Sequence, residues 1–184
     1  MNKLLCLLAL LLPVTSWAAE ALPEDSIYQL PVSLTTQDGA HQQLAERRGR
    51  PQLLAMFYTT CQMVCPVIID SMRLTREALS QEQRARIDLL AVSFDPARDD
   101  VATLKAYAAK RKLDPQFWTL ARVEQGQERA LAGVLGLQYR QLPDGDFNHS
   151  SEIILLDSEG RIVARTSKMG KPDPAFVEQI KKLI

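Results

Sequence analysis

Cys61 and Cys65 stand four positions apart in Tyr58-Thr-Thr-Cys-Gln-Met-Val-Cys-Pro66. Two thiols at that spacing can form a disulfide, act as a redox pair, or bind a soft metal. The apolar run Gln52–Tyr58 precedes them and has the length of a buried central strand. Pro66 suits the first turn of a helix. Both thiols are therefore expected where the carboxyl end of a strand meets the amino end of a helix. Ligands bind at that junction in α/β sheets, and the helix dipole there favours thiolate over thiol. The residue before a proline avoids the α region, which predicts Cys65 at the helix cap and Cys61 in the loop before it. A permanent disulfide across so small a ring would gain little chain entropy. Redox exchange and metal ligation are the functional readings, and the pair alone does not separate them.

The third group is His149, in Asp146-Phe-Asn-His-Ser150, one of two histidines in the chain. The other, His41, follows the Asp38-Gly39 turn and reads as a solvated loop residue. His149 comes just before the strand candidate Glu152–Leu156, whose start should lie beside the first cysteine. Two thiolates and one imidazole suit copper, in either oxidation state, or zinc. Asp95 is expected either to bring a carboxylate near the thiols or simply to cap the turn that follows it. Met63 reads as a loop residue; an apolar filler and an extra soft ligand are its other readings.

The elements that must position these groups follow from periodicity. Leu30–Leu44 alternates loosely around Asp38-Gly39, a hairpin signal. A helix carries Ile68, Ile69, Met72 and Leu79 after the cysteines. Ile87–Phe94 is a second buried strand, followed by a helix capped by Asp99 or Asp100 with Val101, Leu104, Tyr107 and Ala108 on one face. Phe117–Leu120 is a short strand, and Glu124–Leu135 a helix. Glu152–Leu156 and Arg161–Arg165 are strands joined by the turn Asp157–Gly160. Asp173-Pro174 opens a last helix with Phe176, Val177, Ile180 and Leu183 inward. Strands alternating with helices argue for α/β layers. The order predicts a thioredoxin-like fold with an additional N-terminal β-hairpin.

The chain has 184 residues with 22 basic and 22 acidic side chains, so nothing suggests a nucleic-acid partner. Lys3, the apolar run Leu4–Leu12, Pro13 and the small residues of Ser16-Trp-Ala18 form a secretory signal pattern. The expected organisation is a signal peptide at 1–18, a flexible segment at 19–29 and one domain at 30–184. If the leader were retained it would act as a membrane anchor. Cys6 lies in the leader and leaves with it, so Cys61 and Cys65 would be the only thiols in an oxidising, exported compartment. That setting favours copper over zinc.

The residues together resemble the Sco/SenC family of copper-binding, thioredoxin-like assembly factors. The resemblance rests on Val32–Gly39 as a leading hairpin and on Phe57-Tyr-Thr-Thr-Cys61 with Val64-Cys65-Pro66. It rests further on Ala91–Pro96 with Arg98-Asp99, and on His149-Ser150 with Ile153–Asp157 and Gly160–Val163. It implies Cys61, Cys65 and His149 as copper ligands in a periplasmic protein. It also implies copper delivery, or reduction of target cysteines, in assembling the dicopper centre of cytochrome c oxidase. The implied partners are the oxidase subunit carrying that centre or another periplasmic cuproprotein, and other copper chaperones. The chain departs from the family's usual Cys-Pro-Asp-x-Cys: Gln62 and Met63 replace the proline and aspartate.

The main alternative is a metal-free thiol-disulfide reductase acting through Cys61 and Cys65, with the more exposed Cys61 attacking. Such reductases usually carry Cys-x-x-Cys and a proline before the terminal hairpin. This chain has one more residue between the cysteines, and Asn148-His-Ser-Ser151 contains no proline. A thiol peroxidase would need a threonine three residues before the reactive cysteine, where Tyr58 stands. An exported binding module with a merely structural disulfide is the remaining reading.

Overall fold

The computed structural model describes residues 21–184. The expected signal peptide and Cys6 lie outside the described residues. Among the described residues no helix is long and apolar enough to cross a membrane.

Strand β3 (Gln52–Phe57) is buried along its whole length, as its unbroken apolar run requires. On one side it pairs in parallel with β4 (Asp88–Ser93), which pairs in parallel with β5 (Trp118–Val123). On the other side it pairs antiparallel with β8 (Ile153–Leu156), which forms a hairpin with β9 (Ile162–Thr166). The expected leading hairpin is present as β1 (Ser33–Thr36) and β2 (His41–Gln43), and β1 joins the sheet antiparallel to β5. The resulting order is β2-β1-β5-β4-β3-β8-β9. This is the α/β, thioredoxin-like architecture with an added N-terminal hairpin that the element order predicts.

Helix α1 (Val64–Glu77) follows β3 and turns Cys65, Ile68, Ile69 and Met72 inward. Short helix α2 (Gln81–Arg84) leads into β4. Asp100 caps α3 (Val101–Lys110) by accepting the Thr103 N–H at 2.7 Å, which leaves Asp99 for another task. Helix α4 (Gln127–Val134) starts later than expected, because Gly126 takes a left-handed conformation at its cap. Helix α5 (Pro174–Leu183) is capped by Asp173 and buries Phe176, Val177 and Ile180.

Three expectations need correction. The segment read as flexible is held down at its end. Ser26 caps a 3₁₀ turn at Ile27–Gln29, Ile27 and Tyr28 are buried, and the Ile27 N–H donates to the Gly160 carbonyl at 3.0 Å. Apolar side chains at 27 and 28 lower their free energy by entering the core, so the packed body begins before residue 30. His41 is exposed as expected, but it opens β2 rather than lying in a loop. The third concerns β6 (Tyr139–Gln141) and β7 (Phe147–His149), an unanticipated antiparallel pair outside the main sheet.

Candidate metal centre

Cys61 leaves the end of β3 in the loop before α1, as predicted. Cys65 lies inside the first turn of α1, where Met63 is the cap, and not at the cap itself. Pro66 permits this because first-turn N–H groups have no intrahelical acceptor, so the missing donor costs nothing there. Cys61 is 7% exposed and Cys65 0%, and both are free thiols. The Cys65 N–H points at Cys61 Sγ across 3.3 Å.

The loop between β3 and Cys61 is tied to a buried carboxylate. Asp99 accepts from the Thr59 N–H at 3.1 Å, from the Thr59 hydroxyl, and from the Ser93 hydroxyl at 2.5 Å. Burial pushes the Asp99 carboxyl up, while the Ser93 and Thr59 donors oppose the rise. Asp95 does not supply the carboxylate expected beside the thiols. It pairs with Arg98 within its own turn.

His149 ends β7, opposite Tyr139, so the hairpin and not the main sheet delivers it. Its Nδ1–H donates to the Ser150 carbonyl at 2.9 Å, an assignment that leaves the Nε2 lone pair free. Nε2 lies 3.7 Å from Cys65 Sγ. The two sulfurs and a ring nitrogen all fall within 4.8 Å of one another. The three residues singled out in the sequence are thus brought to one point.

Sequence reasoning missed what seats the hairpin. The Tyr58 hydroxyl donates to Asp146, and the Phe147 N–H reaches the same hydroxyl at 3.5 Å. Arg98 donates to the Gly145 carbonyl at 2.7 Å. Phe94 and Tyr58 present rings to the imidazole, with centroids 4.8 and 5.9 Å away. Leu142-Pro-Asp-Gly145 is a turn sequence between Tyr139 and Phe147, and it was the available signal for this hairpin.

The electrostatics of the two thiols differ. Burial raises the Cys61 thiol, but N–H donors of Cys65 and Met63, with the Cys65 thiol and Tyr58 hydroxyl, hold it below the usual cysteine value. Burial drives Cys65 well up, and the neighbouring Cys61 charge adds to the rise. Burial also lowers the His149 imidazole, against the Ser150 bond and the Asp146 charge, so the ring is neutral at pH 7. One thiolate-prone sulfur, one buried sulfur and one neutral imidazole form a donor set for a soft ion.

Tyr58→Phe keeps the ring and deletes the hydroxyl that anchors Asp146. Metal affinity should fall about tenfold, the lower end of the range for an outer-shell partner. Stability should fall by about 1 kcal/mol. Metal titration and denaturant unfolding read the two effects. Unchanged affinity would mean that ring packing and the Arg98–Gly145 bond seat His149 without the Tyr58 hydroxyl.

The family model described as SCO1/SenC matches residues 20–184. A Stutzerimonas stutzeri protein provisionally named as copper-binding is 29% identical over 119 residues, 62% of this chain; the match spans 57% of that protein's length. Among solved structures, Bradyrhizobium japonicum ScoI with copper bound superposes with a TM-score of 0.71 at 24% identity, covering 84% of this chain and 98% of that one. BsSco, described with a disulfide switch and as a member of the Sco family of cytochrome c oxidase assembly proteins, gives 0.69 at 19% identity, covering 84% and 92%.

Proposed function

This chain belongs to the SCO1/SenC family, and on that premise we propose that it binds one copper ion through Cys61, Cys65 and His149. In this reading it serves assembly of the dicopper centre of cytochrome c oxidase, by delivering copper or by reducing the recipient's cysteines. The carrying observation is the convergence of two sulfurs and one imidazole nitrogen within 4.8 Å.

The residues fit such an ion. Ligand atoms bound at about 2.0–2.3 Å stand roughly 3.5–4 Å apart around a metal, so the cluster needs only a small contraction. Thiolates and imidazole are the donors that copper takes up well. Ser150 fixes the tautomer, and the Tyr58 and Phe94 rings line the imidazole. Cys61 is the sulfur nearest solvent, so it is the ligand through which exchange with a recipient begins. Bound copper is cargo in this scheme, held until a partner's ligands replace these three. The relatives' copper and oxidase descriptions support the scheme, and the signal pattern at the amino terminus supports export to the periplasm, where such a recipient is met.

The test is titration of the reduced protein with copper under anaerobic conditions. One ion per chain should bind, and both thiols should become unreactive together. A protein that takes up no copper while both thiols stay fully reactive would end this reading.

The asymmetry of the two thiols favours a second reading, a thiol-disulfide reductase working without metal. There Cys61 attacks the target disulfide and Cys65 resolves the mixed disulfide. Turnover of a disulfide substrate by metal-free protein, with His149 dispensable, would favour it.

A further inference from the structure

Met63 breaks two local rules at once. It is the N-cap of α1 and makes no side-chain cap bond. Ser, Thr, Asp or Asn there would satisfy an orphan N–H and stabilise the helix by about 1 kcal/mol. It is also 85% exposed, the most exposed of the four large apolar side chains that face water among the described residues. Neither helix formation nor burial explains a methionine at this point. Departures from local preference that bring no stability gather at functional sites.

The surroundings say what the function is. Met63 is two residues from Cys61, and both line one cleft of about 660 Å³ with Tyr58, Arg98, Asp146 and Phe147. The side chain is unbranched, with three freely turning bonds, and its only polar-capable atom is a soft, neutral thioether sulfur. Such a sulfur binds the cuprous ion well and harder ions poorly. We infer that Met63 is an exchangeable fourth ligand, specific for Cu(I), that takes hold of the ion at the mouth of the site as it enters or leaves. Its exposure is what this role needs, because an entry ligand must meet the ion before the buried sulfur of Cys65 does. The inference rests on the copper reading above and adds the oxidation state that the site handles during exchange.

A methionine-selective oxaziridine, used anaerobically, tags reachable thioethers and is read by peptide mass. Metal-free, Cu(I)-loaded and Zn(II)-loaded protein are compared, with the partly buried Met169 as internal reference. Tagging of Met63 should slow about fivefold or more with Cu(I) and stay unchanged with Zn(II), while Met169 is unaffected. In Met63→Leu, which keeps the apolar volume, Cu(I) affinity should drop about tenfold, with Cu(II) affinity kept within about twofold. Equal tagging with and without Cu(I), together with equal Cu(I) affinity in the leucine variant, would overturn the inference and leave the three-ligand reading standing. Poor transfer by the leucine variant, with Met63 of the wild type tagged equally fast with and without Cu(I), would also overturn it, since Met63 would then be a docking contact and not a ligand. Failure of wild-type protein to bind copper at all would instead remove the underlying reading.

Discussion

Replacing His149 by Ala is expected to weaken copper binding by more than the roughly 10–100-fold that loss of an outer-shell partner causes. The imidazole is one of three ligands, and its Nε2 has no substitute within the cluster. The dithiol should survive, because Cys61 and Cys65 are held by β3, α1 and the Thr59–Asp99 bonds and not by the hairpin. Oxidation of the variant should still consume both thiols. Copper competition titration and thiol titration on the same sample separate the effects, and unchanged affinity would remove His149 from the ligand set. The same variant tests a pH effect. Burial lowers the folded imidazole below its ordinary 6.5, so the unfolded chain binds the extra proton. Metal-free wild-type protein should therefore lose stability as pH falls through about 6.5, and stop losing it below the folded value. The alanine variant lacks this component, so the wild type's stability relative to it shrinks toward acid in denaturant melts.

Oxidising the cysteine pair should abolish stoichiometric copper binding. Forming the Cys61–Cys65 bond passes two electrons to an acceptor disulfide, which leaves as two thiols. The oxidised pair offers no thiolate, and only His149 remains of the three ligands. Oxidised glutathione can serve as the acceptor, leaving as two glutathione thiols, and reduction with dithiothreitol should restore one ion per chain. Cys65→Ser should resemble the oxidised protein, since it deletes the buried sulfur beside Nε2. Retention of tight one-to-one binding by fully oxidised protein would show that the metal is held elsewhere. The two thiols divide the work physically. Cys61 is the less buried sulfur and lines the open cleft with its proton more weakly held, so in the proposed scheme partners reach it first. Cys65 is buried with a raised thiol, so its proton must be displaced as the ion arrives, which makes binding favourable toward higher pH.

Much of this was legible in the residues alone because the signals are local. An unbroken apolar run has one comfortable place, the middle of a covered sheet, and Gln52–Phe57 takes it. A proline shortly after two cysteines puts them at a helix mouth. Asp173-Pro174 and Asp157–Gly160 mark a cap and a turn by backbone chemistry that needs no partner. His149 was singled out by its place in chain order, and the fold brings its Nε2 to 3.7 Å from Cys65 Sγ.

What only the folded chain decided is how that histidine arrives and what holds it. Chain order suggested the approach to β8, yet the residue belongs to a separate hairpin fastened by Tyr58, Arg98 and a group of rings. Those contacts join positions more than forty residues apart, and no periodicity within either segment encodes them. The assignment of the three nearby aspartates was likewise settled in space: Asp95 to Arg98, Asp99 to the cysteine loop, Asp100 to a helix cap. Neighbouring carboxylates look alike in a sequence, because their roles depend on which donors the packed backbone leaves without a partner.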